Sequence, residues 1–312
     1  MRHLLILTAQ PDEYRQRVEA ERLPDLSVVA VADVDEGLAR APQSDLLLGD
    51  PARVRAALPH LPRLEWAQLT WAGVEPMLAP SLRRDYVLTN LRGAFGPLMS
   101  EYVFAYLLLH ERRVLARLDA QRARRWDATP PGTLQQKILG LVGVGSIGAH
   151  LATVAKHFGM RVHGYTRSSR ASTDVDRYFH GDEKAAFASG VDYLVAVLPD
   201  TPDTRAIVDR TMIAALPPHA LVINAGRGRT LDEAALIDAL AQGRLAGAVL
   251  DVFPEEPLPG DHPFWRTPNL FITSHTAAPT VPSDAVRVFA TNYRRLLAGE
   301  PLLYRVDFER GY

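Results

Sequence analysis

The chain has 312 residues, 47% hydrophobic and 23% charged, and its 35 basic and 36 acidic side chains leave a formal net charge of −1. At about 150 residues per domain this is enough chain for two globular domains, and the charge balance lacks the electrostatic footprint of a dedicated nucleic-acid binder. Cysteine is absent, which excludes a disulfide framework, a thiolate nucleophile and a Cys-ligated metal.

Residues 4–7, 27–31, 45–48, 65–69 and 87–89 read as strands, with helix-compatible segments near 12–22, 52–58 and 74–78 between them. The apolar run at 4–7 is too short for a signal-peptide core. The run at 103–109 is among the longest in the chain and falls well below the roughly 18 residues that span a bilayer. A cytoplasmic enzyme is the expectation. One long helical pattern occupies 97–126, opened by Pro97 and ended by Thr129-Pro130-Pro131-Gly132. Its apolar positions Val103, Phe104, Leu107, Leu108, Val114 and Leu118 offer more surface than one monomer face needs. Arg112, Arg113, Arg117, Arg122, Arg124 and Arg125 read as a solvated face.

A second series follows, with strands at 138–142, 161–165, 191–198, 221–224, 247–252 and 270–273. Helices alternate with them, and a last helix covers 283–297. Strands alternating with helices predict an α/β protein: two doubly wound Rossmann/flavodoxin-like domains with parallel sheets and a cofactor cleft between them. The first domain is expected to be discontinuous, residues 1–98 and 277–312, with the second at 99–276.

The sequence Gly143-x-Gly145-x-x-Gly148 directly follows a strand and opens a helix. In a dinucleotide site the first glycine permits a tight turn, the second lets backbone approach a pyrophosphate, and the third lets helix pack on strand. The helix N-terminus adds unpaired N–H groups for the phosphates. At the tip of the next strand an NAD site places a carboxylate. Here the chain reads Tyr165-Thr166-Arg167-Ser168-Ser169-Arg170, and two guanidiniums with hydroxyls suit the 2′-phosphate of NADP, with NADPH preferred over NADH.

Three further segments sit just past strands: Asn224-Ala-Gly-Arg-Gly228, Leu250-Asp-Val-Phe-Pro-Glu-Glu-Pro257 and Ser274-His-Thr-Ala-Ala278. Ligands of open α/β sheets bind beyond the carboxyl ends of strands, so Arg227, a carboxylate and His275 are expected to converge there. The glycines around Arg227 would let a substrate approach closely. His150 and His157 share a helix face without an adjacent carboxylate cluster, so no metal is expected.

With the glycine fingerprint, these segments resemble the D-isomer-specific 2-hydroxyacid dehydrogenases over essentially the whole chain. Trp71-Ala-Gly-Val-Glu75, Met99-Ser-Glu-Tyr102 and Val306-Asp-Phe-Glu-Arg-Gly-Tyr312 are most similar to the glyoxylate/hydroxypyruvate reductase A group. Ser274 stands where proline is usual, and Ala277-Ala278 replaces the commoner Gly-Gly. The resemblance implies Arg227, Glu256 and His275 as catalytic residues, with Glu256 chosen over Glu255 because the family's acid directly precedes the proline. It implies cofactor contacts from Gly143, Gly145, Ser146, Ile147, Gly148, Arg167, Ser168, Arg170, Leu198, Pro199, Thr204, Ala225 and Asp251, the last near the nicotinamide amide. It also implies that substrate meets Ala72, Gly73, Arg227 and His275. Residues 1–98 and 277–312 then form the substrate domain and 99–276 the NAD(P) domain. The implied reaction reduces a short 2-keto acid, with His275 as proton donor to the carbonyl oxygen, and the resemblance also implies a two-fold homodimer built through the helical region at 97–126. A second reading on the same fold is a nucleotide-sensing interaction protein like the corepressor relatives, and a third a dehydrogenase for another 2-hydroxy acid.

Overall fold

The structure is a computed structural model that describes residues 1–168 and 172–312. The chain folds into two compact units, one of Met1–Ala94 with Thr280–Tyr312 and the other of Phe95–Pro279.

The first unit begins β1 (Arg2–Leu7), α1 (Pro11–Ala20), β2 (Leu26–Val31), α2 (Val34–Arg40), β3 (Leu46–Gly49), α3 (Pro51–Ala57), β4 (Trp66–Leu69) and β5 (Val87–Thr89). All pairings are parallel, in the order β2-β1-β3-β4-β5. That is the flavodoxin-like order. Helix α2 falls where the sequence pattern predicts nothing. Its N-cap Asp33 accepts the Glu36 N–H at 2.9 Å, and this Asp-x-x-Glu start is its one local signal. The helix expected near 74–78 is a single 3₁₀ turn, Glu75–Met77.

The second unit opens with α4 (Gly96–Glu111) and α5 (Val114–Arg122), two helices where one was expected. The break has a clear cause. The Glu111 carbonyl accepts the Gly132 N–H at 2.9 Å, and Arg113 adopts a left-handed φ of 55°. Arg117 is also no mere surface charge, because its guanidinium donates to the carbonyls of Arg112, Asp127 and Thr129 at 3.1, 3.1 and 2.7 Å. Val103, Phe104 and Leu107, expected on an intermolecular face, are buried in the unit's own core. They lie on the stripe of α4 that packs against the helix Ser146–His157.

The unit continues β6 (Ile138–Val142), α6 (Ser146–His157), β7 (Arg161–Tyr165), β8 (Arg177–Phe179), α7 (Lys184–Ala188), β9 (Tyr193–Ala196), α8 (Arg210–Ala215), β10 (Leu221–Asn224), α9 (Glu233–Ala241), β11 (Gly247–Leu250) and β12 (Leu270–Ile272). Its strands are parallel in the order β12-β11-β10-β9-β6-β7-β8. Direction reverses between β6 and β9, the doubly wound switch point where such sheets bind dinucleotides. Period-2 alternation buries both faces. Tyr193 and Val195 join one apolar cluster, and Leu194 and Ala196 the other. Each fully buried aliphatic side chain of this kind contributes about 1.5–3 kcal/mol.

Helix α10 (Pro282–Leu297) returns to the first unit and packs on α1. A buried polar chain fixes that return. Asn292 Nδ2 donates to Gln68 Oε1 at 3.4 Å and to the Leu303 carbonyl at 3.1 Å, and Trp66 stacks on Phe289 at 4.9 Å.

Candidate active site

Register puts the site loops side by side. Val142 pairs with Ala196, Ala196 with Asn224, Asn224 with Leu250, and Leu250 with Ile272. These five residues end β6, β9, β10, β11 and β12, so the loops that follow all leave the same edge of the sheet.

The glycine loop follows β6. Gly143 has φ +100°, and a Cβ there would lie 2.7 Å from Leu198 Cδ2. A Cβ on Gly148 would meet the Gly143 carbonyl at 2.3 Å, whereas one on Gly145 would meet nothing within 4 Å. Turn and packing therefore demand glycine at 143 and 148, and Gly145 faces open space. This is a cradle that fits a pyrophosphate. Ser146 is exposed on the first turn of α6, and Ile147 packs against Met99, Ala225 and Ala277.

At the tip of β7, Arg167 and Ser168 are exposed. Arg167 pairs with Asp203 at 3.5 Å, and the Ser168 carbonyl accepts the Thr166 hydroxyl at 2.9 Å. Arg170 lies outside the described residues. The loop after β9 holds Leu198, Pro199 and Thr204, the last donating its hydroxyl to the Pro199 carbonyl at 2.6 Å.

The loop after β10 carries Ala225 and Arg227. Here the expected purpose of the glycines is overturned. A Cβ on Gly226 would lie 2.7 Å from Leu198 backbone, and one on Gly228 would lie 2.0 Å from the Phe253 carbonyl carbon. These glycines admit neighbouring loops rather than a substrate. Asn224 Nδ2 and the Thr230 hydroxyl both donate to the Arg227 carbonyl, at 3.0 and 2.6 Å. The guanidinium in turn donates to the Gly226 carbonyl at 2.8 Å.

Past β11 and β12, Glu256 and His275 meet. His275 Nδ1 lies 2.8 Å from Glu256 Oε2, and Glu256 Oε1 accepts the Phe253 N–H at 2.9 Å. A carboxylate can only accept, so the proton of this contact sits on Nδ1 and Nε2 is the nitrogen left to work on a substrate. The imidazole is 48% exposed, and neighbouring Glu255 is exposed too. Asp251 is 1% exposed and holds the His275 loop, accepting from Thr273 Oγ1, Thr276 N–H and Ala277 N–H at 2.6, 2.8 and 3.0 Å. Sequence reasoning missed Asn224, Thr230, Thr273 and Tyr102, whose hydroxyl reaches Thr273 Oγ1 at 2.7 Å. In the first unit, Ala72 and Gly73 follow β4, where the Ala72 carbonyl accepts Asn90 Nδ2 at 2.8 Å.

Among the described residues no group of three or more His, Cys, Asp or Glu side chains could hold a metal. His150 Nδ1 is engaged with Ser100 Oγ and His157 Nδ1 with the Thr153 carbonyl, each at 2.8 Å. No helix among them is long and apolar enough to cross a membrane.

The NAD-binding-domain model of the D-isomer specific 2-hydroxyacid dehydrogenases matches residues 104–277. A glyoxylate/hydroxypyruvate reductase A of Serratia proteamaculans is 38% identical over 214 residues, 69% of this chain and 68% of that one. The structure of a D-isomer specific 2-hydroxyacid dehydrogenase family protein from Aeromonas salmonicida superposes with a TM-score of 0.92 at 38% identity, covering 98% of this chain and 99% of that one. The NADPH-dependent glyoxylate/hydroxypyruvate reductase of Sinorhizobium meliloti, solved with NADP and sulfate, gives a TM-score of 0.88 at 28% identity over 100% of both chains. The chain belongs to the D-isomer specific 2-hydroxyacid dehydrogenase family.

Proposed function

We propose that this protein reduces a short 2-keto acid, of the glyoxylate or hydroxypyruvate kind, to the 2-hydroxy acid with NADPH. The His275–Glu256 contact carries the reading, since it sets an oriented, carboxylate-backed imidazole at the carboxyl edge of a dinucleotide-binding sheet. The names of the Serratia and Sinorhizobium relatives support the substrate class and the cofactor.

When bound, the nicotinamide supplies a hydride to C2 of the keto acid. His275 gives its Nε2 proton to the carbonyl oxygen, which becomes the product hydroxyl. Glu256 holds the ring by Nδ1 and so fixes the direction of Nε2. Arg227 clamps the substrate's carboxylate and carbonyl oxygens with a planar fork of donors. The backbone amides of Ala72 and Gly73 are assigned to the substrate carboxylate. Gly143, Gly145, Ser146, Ile147 and Gly148 cradle the pyrophosphate, and Leu198, Pro199, Thr204 and Ala225 line the dinucleotide. Asp251 is assigned to the nicotinamide side, and Arg167, Ser168 and Arg170 to the 2′-phosphate. On this reading residues 1–98 and 277–312 are the substrate domain and 99–276 the NADP domain. A cytoplasmic homodimer belongs to the same proposal. Its surface would be α5, where Val114, Leu115 and Leu118 stay at least 38% exposed, and sedimentation as a monomer at micromolar concentration would remove it.

Initial rates across a panel of 2-keto acids, with NADPH and NADH in parallel, test the whole reading. A 2′-phosphate on Arg167 contributes about 1.5–3 kcal/mol, so NADPH is expected to win by roughly one to two orders of magnitude in kcat/KM. Equal efficiency with NADH would overturn the cofactor assignment. Tight NADPH binding with no reduction of any keto acid would favour a nucleotide-sensing role instead.

A further inference from the structure

We propose that Tyr102 is a positioning residue for His275, acting through the Thr273 hydroxyl and the buried Asp251 carboxylate. The proposal rests on the reading of His275 as proton donor.

A carboxylate as buried as Asp251 is costly unless its oxygens are satisfied. Its satisfaction comes from the loop that carries the histidine. Thr273 Oγ1 and Thr276 N–H donate to one carboxylate oxygen and Ala277 N–H to the other, while the Asp251 carbonyl accepts the N–H of His275 itself at 2.8 Å. The loop is thus wrapped around Asp251 on both sides of His275. His275 needs that restraint, because its φ of 55° is a left-handed conformation that disfavours side chains with a Cβ.

Donor arithmetic then fixes the part Tyr102 plays. The single proton of Thr273 is committed to the carboxylate at 2.6 Å, so at the 2.7 Å contact Thr273 Oγ1 accepts and Tyr102 donates. Burial pushes the Tyr102 hydroxyl well above its ordinary range, outweighing the opposing effect of the Thr273 contact, so the donor keeps its proton. The ring is held independently. It packs edge-on against Tyr106 at 5.0 Å, and α4 is pinned to α6 by the 2.8 Å Ser100–His150 contact. A rigid helix therefore anchors a strained catalytic loop by one hydroxyl. Of the charged groups at that loop, Glu256 meets the imidazole and Asp251 lies beneath the backbone.

Tyr102→Phe removes the hydroxyl and keeps the ring. A neutral hydrogen bond converts to about a two- to tenfold fall in kcat, with KM for the keto acid nearly unchanged. Thr273→Ser should keep the wild-type kcat. Thr273→Val should lose it, and adding Tyr102→Phe to Thr273→Val should cost little more. Faster amide exchange at Thr276 and Ala277 in Tyr102→Phe is expected even if Thr273→Val fails to fold. Wild-type kcat and exchange in Tyr102→Phe would overturn the proposal. The His275→Ala enzyme separates the two readings: if it is inactive while Tyr102→Phe is normal, only the positioning role fails, and if it turns over normally, the proton-donor reading fails first.

Discussion

At the amino ends of the second sheet, the Asp192 carboxylate accepts from Ile138 N–H, Lys137 Nζ and His219 Nε2 at 2.7, 3.1 and 2.8 Å. Next to it, the buried Tyr193 hydroxyl donates to Glu111. At the carboxyl ends of the same strands, His275 and Glu256 meet at 2.8 Å; the two imidazoles are similarly exposed, and the difference lies in the carboxylate, 35% exposed at Glu256 against 19% at Asp192. Both edges use a histidine and a carboxylate. At one edge the bonds tie three strand starts together; at the other they orient a ring and leave its far side to solvent. Polar groups in this domain stabilise the fold where they are mutually consumed and can do chemistry where they are not.

The comparison breaks most sharply at His275. His275→Ala should lower kcat by about 10²–10⁴ with thermal unfolding unchanged, since proton transfer is lost and no buried bond network depends on the ring. Near-normal turnover at neutral pH would mean that the open edge is not the chemical one.

Asp192→Ala is the mirror experiment. It should cost about 1–3 kcal/mol of stability while kcat per folded molecule stays the same. Burial would raise the Asp192 carboxyl, but the bonds from Ile138, Lys137 and His219 overcome this and hold it below its ordinary value. A lowered folded-state value gives stability that is present above the unfolded carboxyl's value of about 3.9 and is lost as pH falls through the folded one. Urea midpoints of wild type and variant should therefore converge in acid; a constant gap would remove the charge from the argument.

Glu256→Gln sharpens the contrast at the open edge. Replacing the carboxylate that holds the imidazole by an amide should weaken the contact at Nδ1 and lower kcat by about tenfold or less. An unchanged kcat would show that the 2.8 Å contact is not used in turnover. The smallest effect is expected at Asp203→Asn. Releasing the exposed 3.5 Å pair with Arg167 should improve KM for NADPH about two- to threefold and leave NADH alone. Parallel titrations with both cofactors would register an equal change as evidence against Arg167 at the 2′-phosphate.

Legibility in the sequence follows the range of the forces involved. The buried strands of the second sheet announce themselves as short apolar runs, and 138–142, 161–165 and 221–224 coincide with β6, β7 and β10. Strand β8 is an edge strand of three residues, Arg-Tyr-Phe, with no alternation to detect. The break after α4 has neither proline nor glycine at 112–113, because it is made by Gly132 taking a carbonyl from far along the chain. In the candidate site, residues fixed by local spacing could be read, namely the three glycines, Arg227 and His275, whereas Glu256 is separated from Glu255 only by the family resemblance. Tyr102 and Thr273 lie 171 positions apart, and nothing local ties a tyrosine on one helix to a threonine beyond a distant strand. The glycines at 226 and 228 were visible, but their purpose depends on which backbones press against them.

That pressing has a practical side for anyone recasting the substrate preference of this enzyme. Gly226 and Gly228 act as shims: each sets the standoff between the Arg227 loop and a neighbouring loop, and a single added carbon would collide with main chain. Saturation libraries that include 226 or 228 would fill with clones whose defect is a displaced Arg227, whatever substrate they were selected on. Diversity placed at exposed positions such as Trp71, Glu255 or Arg229 leaves that spacing intact.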